Sequence, residues 1–252
     1  FLRKNAFRDG KFLSYFDNDG TDADTPETMS LTGQTMALLN ETVTRSQAQT
    51  LAKTTRRMLF DESIGGYRLN SDYHHIRTQL GRAFGFAYGH KENGAIFSHM
   101  AVMYAYGLYR YCLVREGREA AFALLRQAEK PESHVWAGIP EYFNDRGIGK
   151  YAYLTGSASW LLKWLRTEVF GIHFEAGILR LEPKLCREDF VDGKAILRTV
   201  LFGQTRTVTY FNPRSLDFGS YRIAKILTSG NEHDNQFPSV DGDIEVHLDE
   251  IL

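Results

Sequence analysis

Cysteine is almost absent from this sequence. Cys112 and Cys186 are the two in 252 residues, one in a helical run and the other after a strand-like one. A disulfide framework is therefore not expected, and a reducing compartment is the default. Charge of one sign is missing as well. The net charge is −1, with basic and acidic residues mixed along the chain. That mixture offers no field for nucleic acid or for an anionic membrane surface. No apolar run approaches the ~20 residues of a membrane-spanning helix. Phe1-Leu2-Arg3-Lys4-Asn5 has no apolar core behind it and does not read as a secretory leader. The chain has no initiating Met and begins mid-pattern, which suggests a truncated or processed N-terminus. Several chemistries also lack their residues. There is no Gly-x-Ser-x-Gly elbow for a serine nucleophile. No Walker-type lysine follows Gly156, so a nucleotide P-loop is not supported. His74 and His75 are adjacent and point apart on regular structure. His90 and His99 have no Cys or His partner at a zinc-like spacing, so no metal site is expected.

What is present is enough apolar side chain for a real core: 43% of residues are hydrophobic against 24% charged. Seventeen Phe, thirteen Tyr and three Trp make that core aromatic, with the remainder available to stack on sugar rings. Up to about residue 172 the apolar residues recur at helical spacing. Ala48, Leu51, Ala52, Thr55, Met58 and Leu59 form one face. Ile96, Met100, Met103, Tyr104, Gly107, Leu108 and Tyr111 form a longer one, and Ala120, Ala121, Leu124, Leu125 and Ala128 a third. Ala158, Leu161, Leu162, Leu165 and Val169 form a fourth, and Leu31, Leu38 and Leu39 a weaker helix ahead of them all. Between these lie long Gly-rich, aromatic loops at 64–69, 81–94 and 137–153; ordered loops of that length usually build a site. After residue 172 the pattern becomes strand-like. Ala195 to Phe202 and Thr205 to Phe211 are split by Gly203 and read as a hairpin. Tyr221, Ile223, Lys225 and Leu227 alternate with their neighbours, and Ile244 to Leu248 is a further short strand. Helices first and strands last predict a mainly α module over 1–172 capped by a small β-sandwich over 173–252.

Three segments could carry chemistry. In Lys91-Glu92-Asn93-Gly94-Ala95-Ile96-Phe97-Ser98-His99 a polar loop runs into a helix, with Ser98 and His99 in its opening turn. Unpaired N–H groups and the positive dipole end collect there, so His99 can donate to an anion while Glu92 and Asn93 bind hydroxyls. A plain helix start with solvated His and Glu explains the same residues. In Leu154-Thr155-Gly156-Ser157-Ala158-Ser159-Trp160, Thr155 suits an N-cap and Gly156 lets a ligand approach the backbone, a combination that favours phosphate. An ordinary capped helix is the alternative. Ile139-Pro140-Glu141-Tyr142-Phe143-Asn144-Asp145-Arg146-Gly147 gathers two carboxylates, aromatics and an Arg, which suits sugar binding and acid–base work. It reads equally as a solvated loop holding an Asp–Arg pair.

Taken in order, these motifs resemble glycoside hydrolase family 94, which includes cellobiose, cellodextrin and chitobiose phosphorylases. Ser30-Leu31-Thr32-Gly33-Gln34, Glu168 to Ile172 and Gly177 to Pro183 extend the resemblance over roughly residues 10 to 230. It implies the later helices of an (α/α)6 barrel followed by a C-terminal β cap. It also implies inverting phosphorolysis of β-glucosides to α-glucose 1-phosphate, with one Asp protonating the glycosidic oxygen and inorganic phosphate attacking the opposite face. By the resemblance, phosphate falls to His99, Thr155 and the Gly156 N–H, and sugar hydroxyls to Glu92, Asn93, Glu141 and Tyr142. No cofactor is implied beyond phosphate as co-substrate. The implied partners are a β-linked oligosaccharide, phosphate and a preceding part of the same polypeptide, with a homodimer open and the cytoplasm as compartment. The family's general acid lies in a Trp-Asn-Asp-like segment with no match here, so it is expected upstream and the isolated chain is expected to be inactive. Nothing makes Asp17, Asp19, Asp22 or Asp24 that acid. The short 144–150 stretch is closer to neighbouring families acting on β-1,3-oligoglucans. An inverting hydrolase using Glu141 or Glu92 as base, and an inactive sugar-binding fragment, are the competing readings.

Overall fold

The computed structural model describes residues 5–14, 24–78, 81–152 and 156–251. The chain divides into two compact units, one up to Leu162 and one from Lys163 onward, where the sequence places the change near residue 172. Among the described residues, no helix is long and apolar enough to cross a membrane.

The first unit is built on helices α1 (Leu31–Leu39), α2 (Arg45–Leu59), α3 (Ser98–Arg110), α4 (Val114–Glu129) and α5 (Gly156–Lys163). Helices α2 and α4 bury the face their spacing marks, whereas in α5 Ser157 is buried and Leu162, on the predicted apolar face, is 67% exposed. In α2 that face is Ala48, Leu51, Ala52, Thr55 and Leu59, and in α4 it is Ala120, Ala121 and Leu124. Helix α2 begins on a capping box: Thr44 Oγ1 accepts from Gln47 N–H, and the Gln47 side chain accepts from Thr44 N–H. Two otherwise orphaned donors are satisfied there reciprocally. Helices α1 and α3 approach closely because Gly107 has no side chain: a Cβ there would lie 2.9 Å from Leu38 Cβ. Between the helices run short strands: β1 (Phe7–Arg8) with β2 (Lys11–Phe12), and β3 (Phe60–Asp61) with β4 (Gly66–Tyr67). Then β5 (Ile96–Phe97), β6 (Tyr142–Phe143) and β7 (Gly149–Lys150) form a three-stranded antiparallel sheet.

The second unit opens with a π-helical turn over Trp164–Val169 and a hairpin of β8 (Ile172–Glu175) and β9 (Ile178–Leu181). Its main sheet has five strands in the order β10 (Lys194–Leu201), β11 (Gln204–Phe211), β14 (Ile244–Glu250), β12 (Tyr221–Thr228) and β13 (Asn231–Glu232). The β10–β11 hairpin turns on Phe202 and Gly203, both at positive φ (48° and 77°), the backbone a two-residue hairpin turn requires. Strands β11 and β14 pair in parallel, and β12 pairs antiparallel to β14 with an irregularity between Ile223 and Lys225. That irregularity moves the buried phase of β12 from Tyr221 to Ile226 and Thr228, so the simple alternation read from Tyr221 to Leu227 does not hold.

The expected fold class is corrected by these elements. Five helices with 34% helical and 26% strand residues among those described make a mixed α and β protein. A mainly α chain carrying the later helices of an (α/α)6 barrel, with a small sandwich as cap, is not what forms. The physical reason lies in the stretches read as loops. Two-residue strands such as Ile96–Phe97 and Tyr142–Phe143 pair across the chain but carry no alternation of their own. In the second unit the strands join one mixed five-stranded sheet and a separate hairpin.

Candidate functional site

Helix α3 is seated on the β5–β6–β7 sheet at its first residue, where Ser98 N–H donates to Glu141 O (3.0 Å). Glu141 N–H is shared between Lys150 O (3.1 Å) and Tyr151 O (3.2 Å). The backbone of Glu141 is thus a joint between helix and sheet, and its side chain is half-buried. Tyr142 is buried, its ring stacked on Phe97 (6.3 Å between centroids, 3° between planes) and tilted against Tyr151. Burial, the largest influence, pushes its phenol pKa upward. Tyr142 is therefore core in this arrangement and presents little surface to a sugar.

His99 is the second residue of α3 and sits half-buried. The first residue of α5, Gly156, lies directly against its ring. A Cβ on Gly156 would fall 2.7 Å from His99 Cε1 and 2.9 Å from Nδ1. Trp160, one turn further along α5, lies 6.2 Å from the imidazole centroid and is itself met edge-on by Tyr106 (5.4 Å, 81°). His99 and Tyr106 are seven apart on α3, and Gly156 and Trp160 four apart on α5, so each pair shares a face. The starts of α3 and α5 converge on one imidazole. Its Nε2 is buried and finds no hydrogen-bond partner among the described residues. Burial also lowers the His99 pKa, since the imidazolium loses hydration on leaving water. The predicted partner Thr155 lies outside the described residues.

The loop before α3 has a different character. Residues 90–93 close a tight turn, with Asn93 N–H on His90 O (3.1 Å) and Lys91 at positive φ. Asn93 is 7% exposed, and its amide is committed inside the protein: Oδ1 accepts from Asn70 Nδ2 (2.9 Å) and Nδ2 donates to Phe86 O (2.7 Å). It holds the loop together and is not available in the way a hydroxyl-binding Asn requires. Glu92 behaves otherwise. Its Oε2 is buried and unpartnered among the described residues, and it lines a cavity of about 460 Å³. The other walls include Met36, Tyr73, Phe84, Phe97 and Met100. Aromatic and thioether walls around one carboxylate suit a ligand that offers hydroxyls along its edge and C–H bonds on its face. His99 and Gly156 do not line this cavity, so the predicted residues resolve into a His99–Gly156 contact and a separate carboxylate pocket.

Among the four N-terminal aspartates, Asp17, Asp19 and Asp22 lie outside the described residues. Asp24 is buried and occupied, accepting from Ser14 N–H (2.5 Å) and Tyr73 Oη–H (2.8 Å). In the second unit, Cys186, Glu188 and Asp217 bring ligand atoms within 4.8 Å of one another. Asp217 there already accepts from the N–H groups of Arg187 (3.3 Å) and Phe218 (3.0 Å). No sequence signal marks Asn70, whose side-chain bonds to Asn93 and Gly94 are long-range. Compared with protein-family models and with curated proteins, the chain matches none.

Proposed function

We propose that this chain supplies the phosphate-binding side and part of the sugar-binding side of an inverting glycoside phosphorylase acting on β-glucosides. The observation that supports it is the His99 ring, packed on the first residue of α5 with a buried Nε2 that lacks a partner among the described residues. A buried polar atom left unpaired costs about 1–3 kcal/mol, and a ligand oxygen would remove that cost. The His99 ring lies against Gly156, the first residue of α5, and helix starts favour anions. Glu92, with its open carboxylate oxygen on the cavity wall, is assigned to sugar hydroxyls. In the reaction, a phosphate oxygen forms a bond to the anomeric carbon as the bond to the glycosidic oxygen breaks, with inversion, and a carboxylic acid donates the proton the leaving oxygen needs. The general acid is not assigned to a residue of this chain. The reading places the activity in the cytoplasm, where cysteines outside a disulfide, such as Cys112 and Cys186, are ordinary.

The deciding experiment supplies β-1,4- and β-1,3-linked glucose disaccharides to the native protein with and without phosphate. Glucose 1-phosphate formed only with phosphate, and lost in His99→Ala, is the expected result. Equal release of free glucose without phosphate would make the protein a hydrolase. The unpartnered Glu92 oxygen is what favours that second reading, since it could take a proton from water.

A second expectation concerns pH. With its pKa lowered by burial, His99 is neutral in the free protein near pH 7. A bound dianion stabilises the imidazolium, so binding takes up a proton. Sulfate, which remains a dianion, should bind up to about tenfold more tightly per pH unit as pH falls from 8 toward the lowered pKa. The slope should vanish in His99→Ala; calorimetric titration at several pH values checks both. Stability runs the opposite way. His99 contributes stability above its ordinary value of 6.5, and that contribution is lost as pH falls through the lowered folded value.

A further inference from the structure

We infer that Asn70 is a positioning residue that holds the Glu92 carboxylate in the cavity. The inference rests on the reading of Glu92 as an acceptor for sugar hydroxyls. Asn70 is 2% exposed and lies far from Glu92 in sequence, just after β4. Its Nδ2 donates to Asn93 Oδ1 (2.9 Å) and to Ser71 O (2.9 Å), and its Oδ1 accepts from Gly94 N–H (2.9 Å). One side chain thereby grips both residues that follow Glu92.

The surroundings tighten the grip. Arg68 Nη1 donates to Gly94 O (2.7 Å), and Tyr88 Oη donates to Asn70 O (3.3 Å). Gly94 has φ +73°, and a Cβ there would fall 2.1 Å from the Tyr88 ring, so the backbone occupies space that no other residue could. Asn70 is anchored in turn, because Leu69 N–H donates to Ala95 O (2.8 Å) and Ser71 N–H to Met29 O (3.0 Å).

A carboxylate oxygen kept dry and unpaired is costly, and a surface loop would ordinarily relax until it reached water. Here the two following residues cannot move without breaking the Asn70 bonds, so Glu92 stays aimed at the cavity. The ligand finds its acceptor already in place and loses no affinity to ordering the loop. Asn70 also stands on the cavity wall, so a change there is felt on the same face of the ligand.

The test is a double-mutant cycle on cellobiose binding, with Asn70→Ser and Glu92→Gln. Asn70→Ser is uncharged and milder than Asn70→Leu, which would leave Gly94 N–H and Asn93 Oδ1 buried without partners and could fail to fold. Asn70→Ser is expected to raise the cellobiose Kd about tenfold when Glu92 is present and less than about twofold in Glu92→Gln, with sulfate affinity unchanged. An equal loss in both backgrounds would show that Asn70 acts on the cavity as a whole and would overturn the inference.

Hydrogen exchange gives a readout that needs no sugar. The Gly94 amide should exchange about a hundredfold faster in Asn70→Ser while the Ser98 amide, bonded to Glu141 O, keeps its rate. No change at Gly94, or an equal rise at both amides, would sink the proposal. If the wild type binds neither cellobiose nor its β-1,3 isomer, the sugar reading of Glu92 fails, and the exchange rates still decide whether Asn70 holds the loop.

Discussion

Gly156→Ala is expected to weaken phosphate binding by between about tenfold and a hundredfold while leaving the fold intact. The new methyl carbon would stand 2.7 Å from His99 Cε1, a separation that carbon atoms do not tolerate. The ring has little freedom to retreat, because Trp160 lies on it from the same helix and Tyr106 braces Trp160. The imidazole must swing away from the starts of α3 and α5, or α5 must shift. Either movement separates the donors proposed to hold phosphate, and hydrogen bonds to a charged group are each worth about 1.5–3 kcal/mol. Stability changes less. Overpacking costs about 1–3 kcal/mol, and alanine returns up to about 1 kcal/mol of helix propensity over glycine. Phosphate titration beside a thermal melt separates the two effects. Unchanged phosphate affinity would mean that the contact between His99 and α5 has no part in binding.

The second large effect is expected in the other unit. Lys184→Met should destabilise it by about 3–5 kcal/mol, because Glu168 would be left charged and alone. Lys184 Nζ lies 2.6 Å from Glu168 Oε2, and the two side chains are 14% and 4% exposed. The pair closes the π-helical turn onto the segment after β9, where Lys184 N–H also donates to Val169 O (3.0 Å). Trp164 is buried four residues before Glu168 and is the one tryptophan of this unit, so its fluorescence reports the transition. A urea melt of Lys184→Met should show a much lower midpoint. Glu168→Leu combined with Lys184→Met should recover most of it, since a buried ion pair often exchanges for apolar packing at little cost. A midpoint unmoved in the single variant would show that Glu168 finds water or another partner when the lysine goes.

The sequence carries some of this structure on its surface. The buried faces of α2 and α4 follow from apolar residues three and four apart, because helical period and burial are one geometric fact. The β10–β11 hairpin is visible in two β-rich runs around Gly203 for the same kind of local reason. Polar and small residues at the starts of α3 and α5 mark both as candidate anion sites, since the unpaired N–H groups of a helix start are fixed by the helix itself.

The rest depended on contacts between distant residues. Fold class could not be read correctly because strands of two residues, such as β5, β6 and β7, have no period, and the pairing of β5 with β6 spans more than forty residues. The parallel pairing of β11 with β14 and the irregularity in β12 are likewise invisible in a local pattern. Asn93 and Tyr142 are residue types that bind sugars. Only packing decided that one is spent on Asn70 and Phe86 and the other on Phe97 and Tyr151. Local chemistry determined which residues could bind an anion or a hydroxyl. Tertiary structure alone decided that His99 meets Gly156, that a Glu92 oxygen has no partner among the described residues, and that Asn70 bonds both residues that follow Glu92, because a hydrogen bond or a close contact is a property of position in space.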